Sequence, residues 1–458
     1  MTLEPSTATH PDNAEHAASQ AASPPSTQHN HPSVEQGRTV PVNLRQTGPT
    51  PVELLISTRI RKSPYWHLSV AAGVWRAEVY NRVYHPRGYL SMDEGGPLAE
   101  HESVVNDVTM WNVAVERQIQ VVGPDAEAFV NYVITRQATK ISPMHARYVI
   151  LCNEAGGILN DPVLLRLSED EFWFSVSDSD LMLWLQGVNV GKGYDVRIQE
   201  IDVCPVQIQG PRSEALMRDL IGPAVSDIPN YGLARAEVAG LPVIVSQTGF
   251  TGEKGYEIYL FDATLHAEEM WNAVLEAGAA HHLRVIAPAH PRRVQAGILS
   301  WGQDMDAETS PLQTNLAYQV PRMKEQDYIG KAALEAQRAQ LEAGTPPFSQ
   351  MLVGMTLGGR PITDYAPDFW LVGMVGQDDP VGYLTSPWYS PELGTNIALG
   401  YVPVGLSQPG TQLRVWLPDE YADTPGEPVD AVVVQVPFRP SVNPNTRELL
   451  KDEGKQFL

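Results

Sequence analysis

Cysteine is nearly absent: the 458 residues hold two, Cys152 and Cys204. Both lie in apolar runs, VILCNE and VCPVQI, without CxxC or Cys/His spacing. That argues against a disulfide framework or a zinc site and predicts two reduced core residues and no metal. Positive charge is also scarce, with 32 Lys and Arg against 54 Asp and Glu, a formal net charge of -22. Non-specific nucleic-acid binding and adhesion to an anionic membrane both require a basic surface, so neither partner is expected. No apolar run reaches the length of a membrane span. The start, MTLEPSTATHPDNAEH, has no basic segment followed by an apolar one, so no secretory signal is expected and the cytoplasm is the default compartment.

Residues 1–50 are rich in Ser, Thr, Pro, Gln, Asn and His and poor in aromatics. Such a stretch cannot bury enough surface to repay ordering, and it reads as a disordered extension. Beyond it the chain echoes itself. ERQIQVVGPDAEAFVNYVI (116–134) and VCPVQIQGPRSEALMRDLI (203–221) each show an alternating strand, a Gly-Pro turn, and a helix with apolar residues three and four apart. Two such units with added strands predict an α+β fold with two subdomains over 51–345. After about 345 the texture changes to six short strands between Gly, Pro and Asp, which predicts a small antiparallel β-barrel over 346–458.

The stretch QTGFTGEKGYEIY (247–259) spaces three glycines evenly. It lacks the GxxxxGK[ST] of a Walker loop and the GxGxxG of a dinucleotide fingerprint, and it leads into a strand, so a phosphate loop is excluded by context. A hairpin turn whose Gly252 and Gly255 take positive φ accounts for two of the glycines. The strand that follows puts Tyr256, Ile258 and Leu260 on one face and Glu257 with Tyr259 on the other, about 7 Å apart. A carboxylate beside a phenol implies either a solvated face or a polar ligand.

Six ordered segments, NEAGGILNDPVLLRL, QIQGPRS, GFTGEKGYEIY, RRVQAGILSWGQDMD, DYIGKAAL and GYLTSPWYSPELGTNIALGYV, resemble the folate-binding aminomethyltransferase (glycine cleavage T-protein) superfamily over about residues 58–445. Within it, SPYWHLSVAAG, EVYNRVYHPRGY and VTMWNVAVERQIQVVGPDA are similar to the tetrahydrofolate-dependent demethylases of the dimethylsulfoniopropionate type. The resemblance implies three small domains in a ring, with tetrahydrofolate as cosubstrate in a central channel. By position it implies that Glu257 and Gln207 hydrogen-bond the pterin, that Tyr148 and Phe250 pack on the folate, and that Ser175 forms part of its wall. Asp161 matches the acidic residue near the reactive folate nitrogens, and Tyr259 borders the reacting methyl. Asp161 also reads as a turn carboxylate before Pro162.

A sulfonium donor needs only an apolar or aromatic pocket that tolerates a cation. Tyr65, Trp66, Tyr80 and Tyr231 are candidates, although aromatics fill cores more often than they line sites. Arg82 or Arg117 could meet a donor carboxylate. An aryl ether would instead need an acid, for which Tyr84 and His85 are available. Three departures from the demethylase pattern, Tyr80-Asn81-Arg82, Trp111-Asn112 and Gln295, fall in segments expected to shape the substrate end. The expected partner is thus a small-molecule methyl donor, with a homodimer as one assembly the sequence leaves open. The alternatives are an aminomethyltransferase, an O- or N-demethylase, and a non-catalytic folate-binding accessory protein.

Overall fold

The computed structural model describes residues 58–439; the extension expected over 1–50 lies outside them. Both β-turn-α units appear. Strand Gln118–Val122 leads to helix Ala126–Val133, and strand Val203–Gln209 leads to helix Ser213–Ile221. Each unit anchors its own sheet. The first lies in a five-stranded antiparallel sheet ordered Arg197–Glu200, Gln118–Val122, Glu171–Ser175, Val163–Arg166, His145–Tyr148. The second lies in a six-stranded sheet ordered Leu233–Val238, Leu241–Ser246, Gly255–Phe261, Val203–Gln209, Val108–Asn112, Leu283–Val285, with only the last pair parallel.

Period-two alternation explains the layering. On strand Glu171–Ser175, Phe172 and Phe174 pack under the helices with Phe129 and Val130, while Trp173 faces the other sheet. On strand Gly255–Phe261, Ile258 and Leu260 pack with Met270 and Trp271 of helix Ala263–Gly278, while Tyr259 faces back. Trp173 meets Phe261 edge-on between the sheets at 5.5 Å. The result is helix, sheet, sheet, helix, with both faces of each central strand buried. Each fully buried Phe or Leu here contributes roughly 1.5–3 kcal/mol. The solvated face considered for Glu257 and Tyr259 is therefore not what forms.

The six C-terminal strands, Gln350–Leu357, Trp370–Met374, Pro380–Ser390, Thr395–Pro403, Gln412–Val415 and Val429–Val434, close into an antiparallel barrel. Closure removes the free edges that short exposed strands would present. Helix Lys331–Glu342 precedes the barrel, entered through Gly330 at φ 86.

A buried polar junction joins the barrel to the rest. Arg293 and Asp304, both wholly inaccessible, form an ion pair. Asp304 also accepts from Thr385 at 2.5 Å and Ser386 at 2.6 Å on the barrel. Gln295 donates to Ser390 at 2.9 Å and to Glu392 at 2.6 Å. A carboxylate at 295 would face Glu392, so the amide suits this junction. Asn112 donates to Ser69 at 3.0 Å and Ser63 at 3.3 Å, holding the first described segment to the sheet. Two of the three sequence departures therefore serve packing and lie away from the cavity described next.

Candidate functional site

A cavity of about 1220 Å³ has walls from strands of both sheets, the turn at 247–255 and the loops at 296–301 and 315–319. The turn and strand 255–261 set its geometry. Strands Leu241–Ser246 and Gly255–Phe261 pair as a hairpin with Ser246 opposite Glu257. Of the two glycines expected at positive φ, only Gly252 has it, at 71°. Gly255 serves another purpose: a Cβ there would lie 2.3 Å from Oε1 of Gln209, so the missing side chain makes room for that amide.

Glu257 reaches the cavity from the strand's inner face. Thr248 donates to its Oε2 at 2.5 Å and Tyr259 to the same oxygen at 2.7 Å. Burial raises the Glu257 carboxyl above the ordinary range, and these two donors oppose the rise. The Tyr259 ring is packed between the sheets, outside the cavity lining, and its hydroxyl meets the cavity wall through Glu257. Gln207 lines the same wall, with its amide donating to Gln209 at 2.7 Å.

Also on the cavity lining, Asp161 accepts from Tyr148 at 2.8 Å and from Ser177 at 2.5 Å. Burial lifts its carboxyl to about 7 despite both bonds. A turn carboxylate before proline would face solvent; Asp161 is 7% exposed and faces the cavity.

Ser175 also lines the cavity, where its hydroxyl donates to Glu116 at 2.8 Å. Burial, and next the nearby Glu257, push Glu116 up to about 8. Glu116, Glu257 and Asp161 thus form a set of enclosed carboxyls, and none has an ion-pair partner among the described residues. Toward a different part of the wall stand Arg136 and Arg147, with Tyr231 and Tyr318. Neither arginine has a carboxylate partner among the described residues either. The cavity is therefore acidic in one region and basic in another.

Of the residues singled out from sequence, Tyr148, Asp161, Ser175, Gln207, Phe250, Glu257, Tyr80 and Tyr231 all line this cavity. Tyr65 does not: it is fully buried, stacks on Trp271 at 5.8 Å and donates to the Cys204 carbonyl at 3.2 Å. Trp66 packs on Tyr84, 4.9 Å between ring centres, away from the lining residues. Arg82 turns outward to Asp180 at 2.8 Å, and Arg117 bonds Glu200. Asn81 and Arg82, at φ 51 and 59, form the two-residue turn between strands Arg76–Tyr80 and Val83–Gly88. That left-handed geometry is typical of tight hairpins.

Sequence reasoning did not single out Glu116, Thr248, Arg136 and Arg147, which also line the cavity. Glu116 carried a faint signal, a charged residue ending the apolar run VAVE before an alternating strand. The arginines carried none, because only tertiary structure removes their partners. Among the described residues there is no group of His, Cys, Asp or Glu placed to hold a metal, and no helix is long and apolar enough to cross a membrane.

Comparison with known proteins agrees with this architecture. Residues 67–324 match the GCVT N-terminal domain and residues 351–439 the glycine cleavage T-protein C-terminal barrel domain. The chain is 34% identical over 366 residues to dimethylsulfoniopropionate demethylase DmdA of Ruegeria pomeroyi, covering 79% of this chain and 95% of that protein. It is 31% identical to an aminomethyltransferase of Listeria innocua, covering 76% of this chain and 91% of that one. The solved structure of the glycine cleavage system aminomethyltransferase T from Bartonella henselae superposes with a TM-score of 0.71 at 23% identity, over 83% of this chain and 99% of that one, which supports the fold. With its central cavity, paired α+β subdomains and closing barrel, the chain belongs to the glycine cleavage T-protein (aminomethyltransferase) family.

Proposed function

We propose that this protein is a tetrahydrofolate-dependent demethylase that takes a methyl group from a small cationic donor, with dimethylsulfoniopropionate as the leading candidate. Family membership supports the coarser part: a transferase with tetrahydrofolate as cosubstrate. The acidic region supports the finer part. Burial holds back the ionisation of three enclosed carboxyls that have no cationic partner among the described residues, and an onium group beside them favours their ionised form.

The residues present fit the folate. Glu257 and Gln207 offer an acceptor and an amide to the pterin edge, with Thr248 and Tyr259 acting as positioning residues that hold the Glu257 carboxylate. Phe250 and Tyr148 supply apolar wall. Arg136 and Arg147 provide the cations for the folate's anionic tail. Bound here, tetrahydrofolate supplies the nucleophilic nitrogen.

The chain's remaining task is positioning and proton handling. As the methyl passes, the donor's S–CH3 bond breaks with its electron pair left on sulfur, and an N–CH3 bond forms. Asp161, near neutrality and held by Tyr148 and Ser177, accepts the proton that leaves the nitrogen. Tyr80 offers a ring face to the onium centre. Arg87 lines the same region and, although paired with Glu78, suits a donor that carries its own carboxylate.

The test is incubation of the full chain and tetrahydrofolate with dimethylsulfoniopropionate, glycine betaine and vanillate, following 5-methyltetrahydrofolate by mass spectrometry. Product from the sulfonium supports the proposal. No product from any donor despite folate binding sinks it, and aminomethyl transfer on a lipoyl carrier would assign the alternative reading on the same fold.

A further inference from the structure

We propose that Glu116 is the residue that selects a cationic methyl donor, facing the donor's charged centre, with Ser175 and Asn81 holding it in place. The inference rests on the cationic-donor reading above and adds the residue that enforces it.

The first observation is orientation. Gln118 Nε2 donates to the Ser175 oxygen at 2.8 Å, which leaves the Ser175 proton to point at Glu116 Oε2, 2.8 Å away. Asn81 Nδ2 donates to the carbonyls of Val115 at 3.0 Å and Val176 at 3.2 Å. One side chain thereby clamps the two backbone segments that carry Glu116 and Ser175. This precision around a carboxyl with no ion-pair partner among the described residues is what a ligand contact requires.

The second observation is charge. Glu257, Asp161, Tyr80 and Tyr259 are the titratable groups that face Glu116, and all are acidic. The next residue, Arg117, turns away to Glu200. Among the three carboxyls, Glu257 and Asp161 each accept from two hydroxyls, whereas one side-chain hydroxyl, that of Ser175, donates to Glu116. Glu116 thus retains the most acceptor capacity, and Val113, Val115, Val176 and Tyr80 line the same cavity with the apolar and aromatic surface that methylated onium groups prefer.

The third observation predicts a signature. Burial and Glu257 keep Glu116 protonated near neutrality, up to about 8. A cation beside it favours the ionised form, so donor binding expels a proton.

The experiment uses the full chain without folate and trimethylsulfonium as the probe, by titration calorimetry at pH 7 in two buffers of different ionisation enthalpy. The wild type is expected to bind with release of close to one proton, and its affinity is expected to rise by up to about tenfold per pH unit below 8. Glu116→Gln is expected to bind roughly 30-fold more weakly and release none, while Glu116→Asp recovers part of both effects. Tetrahydrofolate affinity of Glu116→Gln close to wild type shows that the cavity is intact. Equal probe affinity and equal proton release in wild type and Glu116→Gln would overturn the assignment of Glu116 alone. No probe binding to the wild type would overturn the cationic-donor reading and this inference with it.

Discussion

Replacing Glu257 by alanine removes the carboxylate that the strand after the turn at 247–255 presents to the cavity. Two hydroxyls converge on Oε2, so the variant loses a prearranged acceptor and leaves Thr248 and Tyr259 without theirs. A hydrogen bond to a charged group contributes about 1.5–3 kcal/mol. Losing one such bond to the pterin weakens tetrahydrofolate binding by roughly 10- to 150-fold at 1.4 kcal/mol per decade. Glu257→Gln keeps the size and an acceptor for both hydroxyls, so it should lose binding without losing packing. Fluorescence titration with tetrahydrofolate measures the change, and the melting temperature checks the fold. Removal of the negative charge also lets the neighbouring Glu116 ionise more readily, so its titration should move to lower pH. Tetrahydrofolate affinity within twofold of wild type in both variants would refute the assignment of Glu257 to the pterin.

Asp161→Asn should preserve folate binding while lowering turnover by roughly 10²- to 10⁴-fold, and the wild-type rate should rise with pH through about 7 as Asp161 ionises. A rate flat from pH 5.5 to 8 would remove it as the proton acceptor. Arg136→Ala with Arg147→Ala should weaken tetrahydrofolate but leave the glutamate-free tetrahydropteroate unchanged; equal losses for both ligands would show that the arginines serve something other than the tail. Arg293→Met leaves Asp304 buried without its cation, a change that costs about 3–5 kcal/mol and should appear as a large drop in melting temperature. The raised Glu116 carboxyl makes the folded state bind the extra proton, so its contribution to stability falls as pH rises from the unfolded value near 4.3 toward 8. Glu116→Gln should therefore melt higher relative to wild type at pH 8 than at pH 5, and a pH-independent difference would contradict the burial of this group.

Local periodicity determined much of this protein before any contact was known. Strand alternation and the i, i+3, i+4 helix pattern marked both β-turn-α units. Gly, Pro and Asp punctuation marked all six barrel strands, because backbone geometry responds to nearest neighbours. The same alternation placed Glu257 opposite Ile258 and made it a ligand candidate. What periodicity does not carry is which face meets what at long range. Tyr65 and Tyr80, both near the start of the described chain, were equal candidates; the first stacks on Trp271, while the second reaches the cavity. Arg82 and Asn81 share one turn, yet one faces solvent and the other clamps two backbone segments. Charge isolation is likewise a tertiary property: only the fold leaves Glu116 and Arg136 on the cavity wall with no ion-pair partner among the described residues.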